Sequence, residues 1–315
     1  MSIAMIFPGQ ASQFVGMGRE LYEQDPASRD LIDGAEAALG LPLTRLCFEG
    51  PLEELTETRH AQPAILAVSL ACQAYLERHG ALPSVTAGHS LGEYAALAAA
   101  GVIAPERALA LVALRGRLMF ESGVATPGTM AAVMGLDRER VEACCAEAAA
   151  GEVVQLANVN SPEQLVVSGA VPAVERAMAA CEAAGAKKVV RLTVSGAFHS
   201  ELMAPAAAEL GEALAATEFA EARVPVIPNV TGTPTRDGDE LRRLLIEQLT
   251  RPVLWTDSMR ALRAIDAGPI LEVGPGKVLM GLMRRIDRAA KVTPVGDKEA
   301  LDGYLAAGRA AGGAP

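Results

Sequence analysis

The pentapeptide Gly88-His89-Ser90-Leu91-Gly92 is the feature that most constrains how this chain can fold. A short apolar stretch, Ser84 to Ala87, precedes it, and an alanine-rich run of helical character follows it. A serine between two such glycines, where a strand meets a helix, is typical of the sharp turn that exposes a nucleophilic hydroxyl. The glycines leave room where a Cβ would clash, and the helix N-terminus behind the turn offers N–H groups to an oxyanion. The pattern predicts an α/β fold with Ser90 as the nucleophile.

The order of predicted elements divides the chain into two units. Strands and helices alternate over most of its length, which indicates an α/β architecture around a buried sheet. The middle segment instead reads strand, helix, strand, strand, helix, strand, the order of a ferredoxin-like unit. We therefore predict a large subdomain formed by residues 1–124 and 197–315, and an inserted ferredoxin-like small subdomain at residues 125–196. A cleft between the two is the expected place for a small ligand.

Hydrophobic periodicity gives the bounds of the predicted elements. In the large subdomain, helices are predicted at residues 16–24, 27–39, 62–79, 91–100, 105–121, 241–249, 256–267 and 278–286, and strands at 3–7, 224–229 and 270–273. In the insertion, strands are predicted at residues 130–135, 153–158, 164–168 and 188–194, and helices at 138–149 and 171–184.

Composition excludes several classes of function. A formal net charge of −10 argues against a nucleic acid as the main partner. The five cysteines form no C-x-x-C pair, which favours a reducing compartment and predicts no metal site. The first residues have no basic segment typical of a signal peptide, and the longest apolar run is too short to span a bilayer. We expect a cytoplasmic protein that contacts no membrane and acts as a monomer.

A serine nucleophile needs a general base, and histidine is the usual one near neutral pH. The chain has four histidines: His60, His79, His89 and His199. His89 adjoins Ser90, so its side chain is expected to point away from the hydroxyl. His199 lies in a loop of small residues between the insertion and the returning large subdomain, at the expected cleft. His199 is therefore the predicted base, and the alternative is a hydrogen-bonded loop histidine.

The third member of a catalytic triad is not evident from the sequence. No acidic residue stands in an obvious strand-end loop between Ser90 and His199, where an α/β-hydrolase keeps its acid. Either the acid is inconspicuous or a backbone carbonyl orients His199. This absence weakens an ordinary hydrolase interpretation.

Arg115 interrupts a strongly apolar helical run and is costly to bury without a partner. It either pairs with an unseen carboxylate or holds the carboxylate of a ligand with its two-pronged guanidinium. The sequence alone leaves these two roles equally open. Arg117, two residues on, faces away and is expected to be a solvated or an interface charge.

Nine segments, spread in order over nearly the whole chain, resemble the malonyl-CoA:acyl-carrier-protein transacylases. They are FPGQASQFVGMG (7–18), RHAQPAIL (59–66), AGHSLGEYAAL (87–97), RG (115–116), GTMAAVMGL (128–136), NVNSPEQLVVSG (158–169), VSGAFHSELM (194–203), RPVLWTDSM (251–259) and EVGPGKVL (272–279). The resemblance implies a hydrolase-like α/β subdomain with a ferredoxin-like insertion, which agrees with the architecture predicted above.

The resemblance also implies a role for each site residue. Ser90 would be the nucleophile, His199 the base, and Arg115 the clamp for the malonyl carboxylate. The backbone N–H groups of Gln10 and Leu91 would form the oxyanion hole.

Three further residues have implied roles. The main-chain carbonyl of Gln248 would orient His199, which would explain the missing acid. Asn160 would support the base, although it could instead cap the turn at Ser161-Pro162. Phe198 would shape the acyl pocket and favour malonyl over its α-methyl analogue, with simple packing as the alternative.

Two features of the chain bear on this resemblance. Family members usually read G-Q-G-S-Q where this chain has Ala11 in the third position, so a positive φ there would strain the loop that presents Gln10. The GAFH at residues 196–199 resembles stand-alone transacylases, which favours a discrete enzyme serving a carrier protein in trans.

The implied reaction is a two-step acyl transfer from malonyl-CoA to acyl carrier protein, for fatty acid biosynthesis, with no metal and no bound cofactor. One alternative is a trans-acting acyltransferase of a polyketide pathway. A serine hydrolase and a catalytically silent module that only binds carrier protein are two others. An acidic carrier would need a local basic face, and two clusters are candidates, although both could be ordinary solvated surface. We name them the insertion cluster (Lys187, Lys188, Arg191) and the helix cluster (Lys277, Arg284, Arg285).

Overall fold

Two separate β-sheets organise the computed structural model, which describes residues 3–194, 196–265 and 267–312. The strands are β1 (Ala4–Phe7), β2 (Val85–Gly88), β3 (Gly128–Met134), β4 (Val154–Ser161), β5 (Gln164–Ala170), β6 (Lys188–Arg191), β7 (Val226–Ile227), β8 (Ile270–Val273) and β9 (Val292–Val295). One sheet is parallel with the order β7-β2-β1-β8-β9, and the other is antiparallel with the order β4-β5-β3-β6. The predicted α/β class with two differently built units is confirmed.

Helices surround both sheets. They are α1 (Arg19–Gln24), α2 (Pro26–Leu39), α3 (Leu43–Phe48), α4 (Leu52–Thr56), α5 (Thr58–Arg78), α6 (Gly92–Ala99), α7 (Pro105–Ala125), α8 (Arg138–Ala149), α9 (Val171–Ala183), α10 (Ala204–Ala215), α11 (Gly238–Glu247), α12 (Trp255–Ala264), α13 (Val278–Ile286) and α14 (Lys298–Gly312). Within the described residues, none of them is both long and apolar enough to cross a bilayer.

The parallel sheet positions the serine turn. β1 is central, and all four of its residues are buried, as expected for a strand covered on both faces. It pairs with β2 so that Phe7 lies opposite Gly88. The loops that leave these two strands therefore start side by side at the carboxyl edge of the sheet, where ligands of open α/β sheets bind.

The antiparallel sheet has the strand order of a ferredoxin-like unit and runs from Gly128 to Arg191, inside the segment predicted as an insertion. Its strand β4 is tied to the large unit by backbone hydrogen bonds. Val159 N donates to Val253 O, and Val253 N donates to Ala157 O, each at 2.9 Å. The small sheet is thus joined to the segment between α11 and α12 of the large unit.

Several elements differ from the sequence prediction. β7 covers two residues rather than the predicted 224–229, because Pro225 and Pro228 flank it and neither has an N–H for the sheet. Helix α5 begins at Thr58, four residues early, and accommodates Pro63 in its interior. The prediction missed α3, α4, α10, β9 and α14.

Candidate active site

The turn after β2 has the geometry of a nucleophile elbow. Ser90 has a φ of 53°, a conformation that is strained for any residue with a Cβ. A Cβ on Gly88 would lie 1.9 Å from the carbonyl oxygen of Gly92, and one on Gly92 would lie 2.3 Å from that of Phe7. Gly88 is therefore required for β2 to approach the start of α6, and Gly92 for α6 to approach the end of β1.

His199 connects the serine hydroxyl to a backbone carbonyl. Its Nε2 lies 2.8 Å from Ser90 Oγ, and its Nδ1 lies 2.9 Å from the carbonyl oxygen of Gln248. A carbonyl oxygen only accepts, so Nδ1 carries the proton and Nε2 is free to accept the serine proton. The Gln248 carbonyl thus fixes the tautomer of His199, a role that an aspartate or glutamate has in a catalytic triad. Of the two alternatives for the missing acid, this is the one in which a backbone carbonyl orients the histidine.

Burial keeps His199 neutral. Its side chain is 3% exposed, and burial together with the nearby Arg115 guanidinium lowers its pKa to about 3. Protonation near neutral pH would place a second cation beside Arg115 without solvation. The ring is therefore in the basic form throughout the physiological range.

Arg115 projects from α7 into the site and is 1% exposed. Its guanidinium donates to Gln62 Oε1 at 2.6 Å, to Ser90 Oγ at 3.0 Å and to Gln248 Oε1 at 3.1 Å. Within the described part of the chain it forms no ion pair with a carboxylate, and its Nε has no hydrogen-bond partner. Of the two roles that the sequence left open, this geometry favours the ligand clamp over the structural ion pair.

Three residues that the sequence analysis missed complete the site: Gln62, Glu93 and Asn229. Glu93 Oε2 accepts from Gln248 Nε2 at 2.8 Å and from Asn229 N at 3.0 Å. The Asn229 side chain accepts from Ser90 N at 2.7 Å and donates to Gly88 O at 2.6 Å. The elbow is thus fixed by a buried polar network. Glu93 carries a recognisable signal, since it is the lone charge in an apolar helical run, as Arg115 is in its own.

Gln10 and Leu91, whose backbone N–H groups are the expected oxyanion hole, border the same cavity. Gln10 lies in the loop after β1, and Leu91 follows the serine directly. Within the residues that the structure describes, neither N–H donates to a protein acceptor. Ala11 follows Gln10 in this loop. Its φ of 78° is the strained conformation that the sequence analysis considered for this position. Its N–H is held by Gln13 Oε1 at 2.8 Å.

A cavity of about 300 Å³ opens over Ser90, with walls from both sheets and their helices. Phe198, Met119 and Met130 form an apolar side of it. No group of three or more His, Cys, Asp or Glu side chains among the described residues is placed to hold a metal ion. The cavity thus combines a nucleophile, a base, a cation and an apolar wall.

Asn160 also lines this cavity, but it does not support the base as expected. Its Oδ1 lies 2.8 Å from His89 Nε2, and the His89 ring packs edge-on against Trp255 with a centroid distance of 5.4 Å. The end of β4 therefore contacts His89 of the elbow. The expectation for Asn160 is therefore corrected, since its partner is His89 rather than His199.

The chain is similar to known acyl transferases over nearly its whole length. Residues 4–298 match the model of the acyl transferase domain. The chain is 45% identical over 301 residues to the malonyl CoA-acyl carrier protein transacylase of Bacillus subtilis (strain 168), covering 95% of each. It shares a TM-score of 0.92 and 43% identity with an acyl carrier protein S-malonyltransferase from Vibrio cholerae, covering 96% of this chain and 100% of that one. A malonyl-transacylase solved in complex with its type II polyketide synthase acyl carrier protein gives a TM-score of 0.92 at 41% identity, covering 98% of this chain and 100% of that one.

Proposed function

The chain belongs to the acyl transferase domain family, and we propose that it transfers a malonyl group from malonyl-CoA to the phosphopantetheine thiol of acyl carrier protein. The observation that carries this proposal is the position of Arg115. Its buried guanidinium, which makes no direct ion pair with a carboxylate of the described residues, lies 3.0 Å from the oxygen of the nucleophile. The carboxylate of a malonyl ester lies three bonds beyond that oxygen, within reach of the same side chain.

The first half-reaction acylates Ser90. His199 Nε2 removes the hydroxyl proton as Oγ attacks the thioester carbon, and the N–H groups of Gln10 and Leu91 stabilise the oxyanion. The C–S bond then breaks, and the proton passes from His199 to the coenzyme A sulfur. A malonyl-serine ester remains, with its carboxylate on Arg115.

The second half-reaction runs the same steps toward the carrier. The phosphopantetheine thiol gives its proton to His199 and attacks the ester, and the serine leaves with that proton. His199 is neutral at the start of each half-reaction because its pKa is far below neutrality. Phe198 closes the apolar side of the acyl pocket. No step calls for a bound cofactor.

Intact-protein mass spectrometry tests the function directly. With malonyl-CoA alone we expect one malonyl increment on the protein, none on Ser90→Ala, and passage of the increment to carrier protein when it is added. A serine hydrolase would release free malonate at the rate of transfer without carrier. A silent binding module would show no adduct with either protein, which would refute the proposal.

The carrier itself distinguishes fatty acid from polyketide synthesis. We place the enzyme in fatty acid synthesis, as a discrete cytoplasmic monomer, and transfer rates to carriers of both pathways would test this choice. For docking we favour the helix cluster over the insertion cluster, because α13 also contributes Leu279 and Leu282 to the cavity. By contrast, Arg191 of the insertion cluster is paired with Glu175 at 3.1 Å. Arg284→Glu should then raise the KM for carrier protein without slowing acylation by malonyl-CoA.

We also propose residues 125–196 as the bounds of the inserted subdomain, with residues 1–124 and 197–315 forming the large one. Ser195, one residue before the second bound, lies outside the described residues. Limited proteolysis that cleaves first near both bounds would support this division, and first cleavage within either sheet would contradict it.

A further inference from the structure

Glu93 is a buried carboxylate that the transfer mechanism does not use. It lies in the first turn of α6, three residues after the nucleophile, and is 1% exposed. Its Oε2 accepts from Gln248 Nε2 and from Asn229 N. A carboxylate with so little solvent needs compensation from hydrogen bonds and from a cation. The compensating cation is Arg115, which attracts it from α7.

The side chain of Gln248 connects these two charged groups. Its Nε2 donates to Glu93 at 2.8 Å, and its Oε1 accepts from Arg115 at 3.1 Å. A carboxylate only accepts and a guanidinium only donates, so the two charges fix the orientation of the amide. Glu93, Gln248, Arg115 and Ser90 Oγ form one continuous chain of hydrogen bonds.

The titratable groups around Glu93 come from several elements. Arg115 faces it from α7 and Tyr94 adjoins it on α6, while the elbow and the loop before α10 supply His89 and His199 to the same site. Burial lowers the pKa of both histidines and raises that of Tyr94, so these three groups are neutral. Glu93 and Arg115 thus dominate the charge of the site. Burial also raises the pKa of Glu93 to about 7, with opposing contributions from its hydrogen bonds and from Arg115.

We infer that Glu93 balances the charge of Arg115 in the free enzyme and takes up a proton from solvent when the malonyl carboxylate reaches Arg115. The inference rests on the proposed function, because it needs malonyl as the acyl group. Two carboxylates would then face one buried guanidinium, and their repulsion favours the neutral form of Glu93. At an effective dielectric constant of about 20, two like charges on opposite sides of one guanidinium raise the proton affinity of Glu93 by roughly an order of magnitude.

The acyl transfer itself does not change the number of protons in solution, so the proton taken up by Glu93 can be measured. The proton of Ser90 ends on the coenzyme A sulfur, so acylation itself neither releases nor consumes one below the thiol pKa. By reciprocity, the enzyme with protonated Glu93 accepts malonyl roughly tenfold better than the enzyme with ionised Glu93. Acetyl-CoA has no carboxylate and is indifferent to the state of Glu93. Glu93 is therefore a positioning residue that also sets acyl selectivity as a function of pH.

Proton uptake during acylation is the direct test. The enzyme is mixed with excess malonyl-CoA, without carrier, in weakly buffered solution at pH 7 with an indicator dye, and the adduct is counted by mass spectrometry. We expect roughly 0.4 proton per malonyl-serine formed. Glu93→Gln keeps the acceptor oxygen for Gln248 and should form the adduct without uptake. Glu106→Gln, an exposed carboxylate on α7, is the matched control and should behave like the wild type.

The pH profile gives a second readout. The equilibrium constant for acylation, measured as the fraction of malonyl-serine at a fixed ratio of malonyl-CoA to coenzyme A, should fall roughly tenfold as the pH rises through the Glu93 pKa, and Glu93→Gln should remove that fall. A malonyl adduct on the wild type without proton uptake would overturn the inference, as would uptake that persists in Glu93→Gln. Should Glu93→Gln fail to fold, the wild-type proton count alone decides. A wild type that forms no adduct would instead refute the proposed function.

Discussion

Replacing Arg115 with alanine tests the origin of acyl selectivity. The guanidinium is 1% exposed, is held by three hydrogen bonds, and has no protein carboxylate as a partner within the described residues. A bound malonyl carboxylate would meet it away from water. Loss of one member of a buried, hydrogen-bonded charge pair costs about 2–5 kcal/mol. The kcat/KM for malonyl-CoA should therefore fall roughly thirtyfold to several thousandfold.

Acetyl-CoA provides the internal reference. It has no carboxylate, so with acetyl-CoA the variant loses the hydrogen bonds from Arg115 to Ser90 Oγ, Gln248 and Gln62 but no charge pair with the acyl group. A hydrogen bond from a charged group contributes about 1.5–3 kcal/mol, roughly a tenfold to 150-fold loss, and malonyl-CoA loses the same bond to Ser90 Oγ in addition to its charge pair. The ratio of malonyl to acetyl acylation should consequently fall by about tenfold or more. Arg115→Lys should recover only part of it, because a point charge cannot reproduce the two-pronged geometry.

The assay is rapid-quench acylation of Ser90, followed by intact-protein mass spectrometry with each thioester. Arg117→Ala is the matched control, since Arg117 lies on the same helix, is exposed, and pairs with Glu121 at 3.0 Å and Glu209 at 3.2 Å. Equal losses for malonyl and acetyl in Arg115→Ala would show that Arg115 only maintains the site, and the selectivity argument would be wrong.

Three other substitutions and one pH effect follow from the geometry. His199→Ala should slow both half-reactions by about 10²–10⁴-fold, measured by single-turnover kinetics, and a near-normal acylation rate would make His199 structural. The pKa of His199 is lower in the folded than in the unfolded chain, so its contribution to stability is complete above about pH 6.5 and is lost as the pH falls toward 3. Between these values, the free energy of unfolding measured by urea titration should fall by about 1.4 kcal/mol per pH unit because of this group. His199→Ala should lack this part of the pH dependence. Phe198→Ala should raise methylmalonyl-CoA use relative to malonyl-CoA by roughly tenfold, and an unchanged kcat/KM ratio would reduce Phe198 to packing. Ala11→Gly should stabilise the fold by about 0.5–1 kcal/mol in urea titrations, because glycine relieves the positive φ at a smaller entropic cost, and a loss of stability would contradict this.

Local sequence patterns predicted most of the inserted unit, although β6 ends at Arg191 rather than at the predicted residue 194. Its strands and helices follow one another over short connections, and their predicted bounds lie close to those of β3, β4, β5, α8 and α9. The stretch between residues 43 and 56 instead folds into two helices of six and five residues, α3 and α4. Helices this short are held by packing rather than by periodicity, so a sequence window does not detect them.

Site residues could be predicted where a polar or charged residue stands in surroundings that do not suit it. Ser90 lies in a glycine turn, and Arg115 interrupts an apolar run. Asn229 and Gln62 have no such local signal, because their contacts to Ser90 and Arg115 span 139 and 53 residues. Asn160 was misplaced for the same reason, since only the packing of β4 against the elbow determines which histidine it meets.

The strained backbone positions of this site lie beside buried hydrogen bonds, and these hydrogen bonds hold the backbone in its strained conformations. Among the described residues, the non-glycine positions with positive φ are Ala11, Ser90, Ala150 and His199, and all but Ala150 border the cavity. Such conformations persist only where the surroundings over-determine them. Ser90 N is held by Asn229 and His199 Nδ1 by the Gln248 carbonyl, and both of these residues converge on Glu93 through hydrogen bonds. A carboxylate that never touches the reacting atoms thus holds the residues that position the nucleophile and the base, so Glu93→Ala, which removes its acceptor oxygens, should disturb both at once.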